Sequence, residues 1–279
     1  MVMATDPPQP ASTSSASTRL WPWAPFALLL GAALWRPLAL VCVPIFALAL
    51  IRRREASPAE RGAVAVALPI AVVLAWGGLR VGLAGPGAPG CLEPMTLAAG
   101  WRALEALVVV ALIVILGRRL GTSHGSLGLR RPGRGELALA VGALAAVAAV
   151  LVLVGPFLAT PFFGPYVIEV GSLVVFIGAL VFGLSNAFAE ELAYRAAPAV
   201  WLGPIVGDLW TNVAQALLFG IAHSGADFNG PQLPVIAAMT ILAFLAYVLY
   251  RRTGSLALLI ALHAAADVPL YLYWACRVG

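Results

Sequence analysis

Residues 137–154 read LALAVGALAAVAAVLVLV, an uncharged run long enough to cross the roughly 30 Å hydrocarbon core of a bilayer as a helix. The run does not alternate between polar and apolar residues as a β-barrel strand must, and backbone groups in lipid have to be satisfied within the segment. A helix is the expected form. Working outward, further apolar runs occupy about 63–83, 96–116, 168–202, 208–223, 234–250 and 255–275, separated by short Gly, Pro and Arg clusters. The stretch from Leu20 to Ile51 is apolar but interrupted by Trp35-Arg36-Pro37, and reads either as one kinked span or as a hairpin of two short helices. The expected fold is all-α, a polytopic membrane bundle of about seven or eight transmembrane helices. Residues 1–19, rich in Ser, Thr, Pro and Ala without periodicity, read as a disordered tail, and they lack the basic region and cleavage site of a signal peptide.

Composition supports the same class. Of 279 residues, 62% are hydrophobic and 10% charged, far from the usage of water-soluble domains. All 17 basic residues are Arg and none is Lys, so the formal charge of +5 reflects coding bias and carries no inference of nucleic-acid binding. The Arg positions speak of orientation instead. Arg52, Arg53, Arg54 and Arg61, then Arg118, Arg119, Arg130, Arg131 and Arg134, then Arg251 and Arg252 fall in alternate connections, which are expected on the cytoplasmic side of a cell membrane. Connections 84–95, 157–167 and 224–233 carry no basic residue. The three cysteines, Cys42, Cys91 and Cys276, lack metal-ligand or disulfide spacing. The lipid bilayer is the one partner that composition names; it assigns no oligomeric state.

An ionisable group inside a span costs about 2.5 to 3.5 kcal/mol on insertion scales, so such groups are functional candidates. Here they concentrate late in the chain: Asn186, Glu190, Glu191 and Arg195 in one span; Asp208, Asn212, Gln215 and His223 in the next; His263 and Asp267 in the last. Helical spacing puts Asn186, Glu190 and Tyr194 on one stripe and Glu191 with Arg195 on the adjacent one, so Arg195 is expected to neutralise Glu191 and leave Glu190 available. Counting 1.5 Å per residue from the Gly203–Asp208 turn places Glu190 and His223 at one depth, and counting from Gly254 places His263 within about a turn of it. The Glu191–Arg195 pair also reads as a structural ion pair, Phe219 as packing beside His223, and Arg36, Arg80 and Arg102 as snorkelling or locally paired, Arg102 with Glu105.

These residues resemble the CAAX prenyl endopeptidase and bacteriocin-processing (CPBP, or abortive-infection) intramembrane proteases. The EExxxR motif of that family stands as Glu190-Glu191-Leu-Ala-Tyr-Arg195, FxxxH as Phe219-Gly-Ile-Ala-His223, and HxxxN/D as His263-Ala-Ala-Ala-Asp267, in the family's order. Leu127 to Pro132 resembles its lead-in. The resemblance divides the chain into the tail, N-terminal helices over 20–123 and a catalytic core over 124–275. It implies an endopeptidase that cuts a membrane-associated peptide or protein, lipidated or not, with Glu190 and His223 activating water and His263 stabilising the oxyanion. Asp267 stands where Asn also occurs, and an ionised Asp accepts but does not donate hydrogen bonds, so it is expected to orient His263. Zinc held by Glu190, His223 and His263 and a metal-free site are both compatible with the motifs, although HExxH is absent. Two other readings compete. A proton-coupled transporter would use the same residue types but predicts repeated halves with broken helices, which the sequence lacks, and a non-catalytic immunity or scaffold member would keep the motifs without turnover.

Overall fold

The computed structural model describes residues 21–52, 57–84, 93–163, 173–224 and 232–275, which are helices and short turns with no strand among them; the expected tail lies outside these residues. The helices are α1 (Ala24–Leu34), α2 (Pro37–Arg52), α3 (Pro58–Ala84), α4 (Glu93–Arg119), α5 (Arg134–Phe163), α6 (Leu173–Glu191), the four-residue α7 (Gly203–Val206), α8 (Asp208–Ala222), α9 (Gln232–Thr253) and α10 (Ala257–Ala275). Between α6 and α7 the chain stays helical but in π register, over Leu192–Ala196 and Pro198–Leu202.

Local chemistry sets several boundaries. Pro37 disfavours helical geometry at the residue before it, and α1 ends with Trp35 in an extended conformation. The stretch from Leu20 to Ile51 therefore forms two helices, both packed on α3. Ser57 and Glu60 cap α3 reciprocally: the Ser57 amide donates to Glu60 Oε2 and the Glu60 amide to Ser57 Oγ, each at 3.3 Å. Gly254, at φ +64°, closes α9 with its amide donating to the Tyr250 carbonyl, a left-handed geometry that glycine adopts without a Cβ clash.

Among the described residues, five stretches are long and apolar enough to cross a membrane: Glu60–Gly77, Ala99–Arg119, Arg134–Val154, Phe176–Val206 and Leu233–Thr253. Shorter apolar helices at Trp21–Leu34, Pro37–Arg52 and Ala257–Pro269, together with α8, are compatible with the expected seven or eight spans. Burial separates centre from rim. The Glu60–Gly77 window of α3 is 72% buried, whereas the Arg134–Val154 window of α5 is only 6% buried and shows Leu139, Val150 and Leu153 outward, as a lipid-facing helix does. Helix α3 reaches the centre because its side is built from Gly62, Ala63, Ala65, Ala67 and Ala71; a Cβ at Gly62 would stand 2.6 Å from the Trp201 carbonyl oxygen.

One end of the bundle gathers the connections that the Arg pattern grouped. Trp201 Nε1 donates to Thr122 Oγ1 at 2.9 Å, Tyr250 Oη to the Ser126 carbonyl at 3.2 Å, and Arg251 pairs with Asp208 at 2.8 Å. The Arg-bearing 117–134 and 251–254 connections thus share a side, as expected, and the 203–208 turn lies with them.

Helices α8 and α9 are joined by polar contacts that satisfy groups without water. Asn212 Nδ2 donates to the Phe244 carbonyl and Gln215 Nε2 to the Ala243 carbonyl, both at 3.2 Å. Their closeness depends on Gly220, where a Cβ would meet the Ile236 carbonyl oxygen at 2.6 Å and Thr240 Oγ1 at 2.0 Å. Gly220→Ala is expected to destabilise the bundle by about 1–3 kcal/mol through overpacking, while Gly142→Ala, whose Cβ would meet nothing within 4 Å, is expected to be neutral or stabilising. Thermal unfolding of the two variants in detergent checks the contrast; equal midpoints would contradict it.

Candidate functional site

Helices α4, α6 and α10 meet in the apolar interior, and the ionisable residues of all three converge there. Gly183 lets α6 and α10 approach, since a Cβ at that position would fall 2.8 Å from Val268 Cγ2. One turn on, Asn186 Nδ2 donates to Asp267 Oδ2 at 2.6 Å. Below that contact lie the paired acids: Glu190 and Glu191 are 6% and 2% exposed. His263 stands between them, with Nδ1 2.8 Å from Glu191 Oε1 and Nε2 3.7 Å from Glu190 Oε2. Its Nε2 is also 3.5 Å from Asp267 Oδ2.

This arrangement redistributes the expected roles. The short contact that orients the His263 ring comes from Glu191, whereas Asp267 makes a longer approach to the opposite nitrogen and its closest partner is Asn186. Glu191 is not reserved for Arg195. Its second oxygen, Oε2, lies 3.3 Å from Arg195 Nε, so one carboxylate bridges a guanidinium and an imidazole. Arg195 is itself 2% exposed and places its guanidinium carbon 4.2 Å from the Phe219 ring centroid, a buried cation–π contact.

Phe219 does more than pack beside His223. Its ring centroid lies 4.4 Å from that of His223, 6.4 Å from that of His263 in an edge arrangement, and 5.1 Å from that of Tyr194. Both imidazoles therefore lie against one aromatic ring. His223 caps the C-terminus of α8, with Nδ1 2.7 Å from the Phe219 carbonyl oxygen. A neutral imidazole donating from Nδ1 carries its lone pair on Nε2, the state a proton acceptor needs.

Two contributors come from the N-terminal helices, contrary to the expectation that the C-terminal half alone supplies the site. Arg102 of α4 pairs with Glu105 at 2.5 Å, as its spacing suggested, but also extends Nη2 to within 3.3 Å of Glu190 Oε1. Arg36, in the break between α1 and α2, donates to the carbonyl of Ala222, the residue before His223. Neither residue snorkels. Sequence offered a signal for Arg102, because a charged i, i+3 pair within an apolar run is costly unless something else meets it. For Arg36 it offered none beyond the charge itself.

Among the described residues no three His, Cys, Asp or Glu side chains form a group that would hold a metal ion. Both ring nitrogens of His263 face carboxylates, and His223 Nδ1 faces the Phe219 carbonyl oxygen.

Fold and site together define a polytopic helical membrane protein with a buried acid and imidazole centre. Residues 172–269 match the family described as type II CAAX prenyl endopeptidase Rce1-like, a segment that contains all three motifs and agrees with the CPBP resemblance they carry. That similarity covers less than half of the chain. No curated protein and no solved structure matches the chain. Arg36, Arg102 and Glu105 lie outside the matched segment.

Removing Arg195 would take the guanidinium from Glu191 and leave its buried carboxylate to the His263 imidazole. Arg195→Ala is expected to cost about 3 kcal/mol or more. The measurement is the yield and unfolding midpoint of the detergent-purified variant, and a native midpoint would show that Glu191 does not need the guanidinium.

Proposed function

We propose that this chain is an intramembrane endopeptidase that hydrolyses a peptide bond of a membrane-associated peptide or protein. The observation that supports it most is the convergence of the EExxxR and HxxxD motifs on one imidazole, with Glu190 and Glu191 2.8 to 3.7 Å from His263, inside a segment that matches the CAAX endopeptidase family.

In this reading Glu190 takes a proton from water through Oε2, which is buried and accepts no hydrogen bond, with His223 assisting through Nε2. The hydroxide attacks the scissile carbonyl carbon. His263, oriented by Glu191 and set among three carboxylates, supplies the cationic donor that meets the oxyanion. Collapse of the tetrahedral intermediate breaks the C–N bond, and the proton acquired by Glu190 passes to the leaving amine. Asn186 holds Asp267 beside the imidazole. None of these steps passes through a metal.

The substrate is sought by comparing membrane-associated peptides in the native host carrying the native chain with those carrying Glu190→Gln, and in parallel with a quenched prenylated peptide ending in a CAAX sequence. Glu190→Gln is expected to purify as a folded protein with cleavage reduced at least about 100-fold. Native-like cleavage by that variant, or identical peptide sets in the two hosts, would defeat the proposal. A separate expectation concerns metal: strong chelation leaves cleavage by the purified native protein unchanged, whereas stoichiometric zinc whose removal stops cleavage would require a different mechanism.

A further inference from the structure

Arg102 is held on two sides before it reaches Glu190. Its Nη1 is 2.5 Å from Glu105 Oε2, one turn along α4, and Glu105 is 1% exposed. Its guanidinium carbon lies 5.7 Å from the Phe182 ring centroid on α6, two helical turns before Glu190. The planar fork that remains can point only one way, and Nη2 meets Glu190 Oε1 at 3.3 Å. Glu190 Oε2 then has its direction fixed: it is buried, accepts no hydrogen bond and stands 3.7 Å from His263 Nε2.

We infer that Arg102 is a positioning residue: anchored by Glu105 and Phe182, it grips Glu190 by one oxygen and thereby presents the other to the reacting water. It acts through Glu190 and touches no substrate. Glu105 thus restrains the direction of the arginine. The inference rests on Glu190 being the base, and it assigns to the helices before the matched family segment a part in the chemistry.

A lysine at 102 keeps the charge but has no planar fork to bridge Glu105 and Glu190, so it separates positioning from neutralisation. Native protein, Arg102→Lys and Glu105→Gln are purified in detergent. Each is assayed for unfolding midpoint, for kcat and KM on the quenched prenylated CAAX peptide, and for the infrared carboxylate bands assigned to Glu190 by subtraction of Glu190→Gln. Arg102→Lys is expected to unfold near the native midpoint with an altered Glu190 band, KM within about twofold of native and kcat lowered about tenfold or more. Native kcat together with an unaltered Glu190 band would overturn the assignment. Should Arg102→Lys fail to fold, Glu105→Gln decides: a lowered kcat at unchanged KM supports the assignment and a native kcat overturns it. Should the native protein leave the peptide uncut, the protease reading fails on this substrate, and the Glu190 band of whichever variant folds decides the role of Arg102 alone.

Discussion

Ions buried in an apolar interior must be met by other ions, and the arrangement of α4, α6 and α10 follows from that need. Glu105, Glu190, Glu191 and Asp267 are each within 4 Å of Arg102, Arg195 or His263. The cluster is linked throughout. Arg102 joins Glu105 to Glu190, His263 joins Glu190 to Glu191, and Arg195 closes the chain against Phe219. Shifting one helix along its axis by a turn would leave carboxylates stranded at several kcal/mol apiece, so the electrostatics fix a register that apolar packing alone leaves loose. Small residues make the register reachable: Gly183 brings α10 close enough to α6 for Asn186 and Asp267 to touch.

Much of this was legible beforehand, for identifiable reasons. Uninterrupted apolar runs gave the helical class, and the alternation of Arg clusters grouped the connections that the structure places at one end. Spacing of four residues brought Glu191 to Arg195 and Asp267 to His263, because neighbours on one helix face need no knowledge of tertiary packing. What was not legible is what crosses between helices. Arg102 meets Glu190 88 residues away, and Arg36 meets Ala222 across 186. Nothing periodic connects such partners. The choice between Glu191 and Asp267 as orienter of His263 was hidden for the same reason, since it depends on how α6 is rotated against α10 and not on the spacing within either.

The N-terminal helices therefore cannot be set aside as an anchor for a separate core. Helix α3 is the most enclosed of the membrane-length windows, and one continuous hydrophobic cluster runs from Phe26 to Leu259. Through Arg36 and Arg102 this region also reaches the polar centre from opposite sides, at the α8 terminus and at Glu190. The motif-bearing segment matches a family by itself, but the charges it buries are balanced in part by residues it does not contain.

From Leu192 to Gly203 the helix is wound wide: the Ala197 amide donates to the Leu192 carbonyl and the Gly203 amide to the Pro198 carbonyl, five residues back in each case. A wide turn holds one residue more than an α turn, so it absorbs an extra residue without a loop. Side chains beyond both wide turns are re-phased by about 200° relative to an uninterrupted α-helix. Glu190 and Arg195 thus keep their face toward the polar centre while Trp201 is swung to Thr122 on the connection outside it. The segment works as a gear between two angular settings on one span. Ungapped counting at the α-helical rise from the paired acids to the next turn therefore overstates the depth and misreads the direction around the helix, and related chains with one residue fewer here would carry the same letters on a different side.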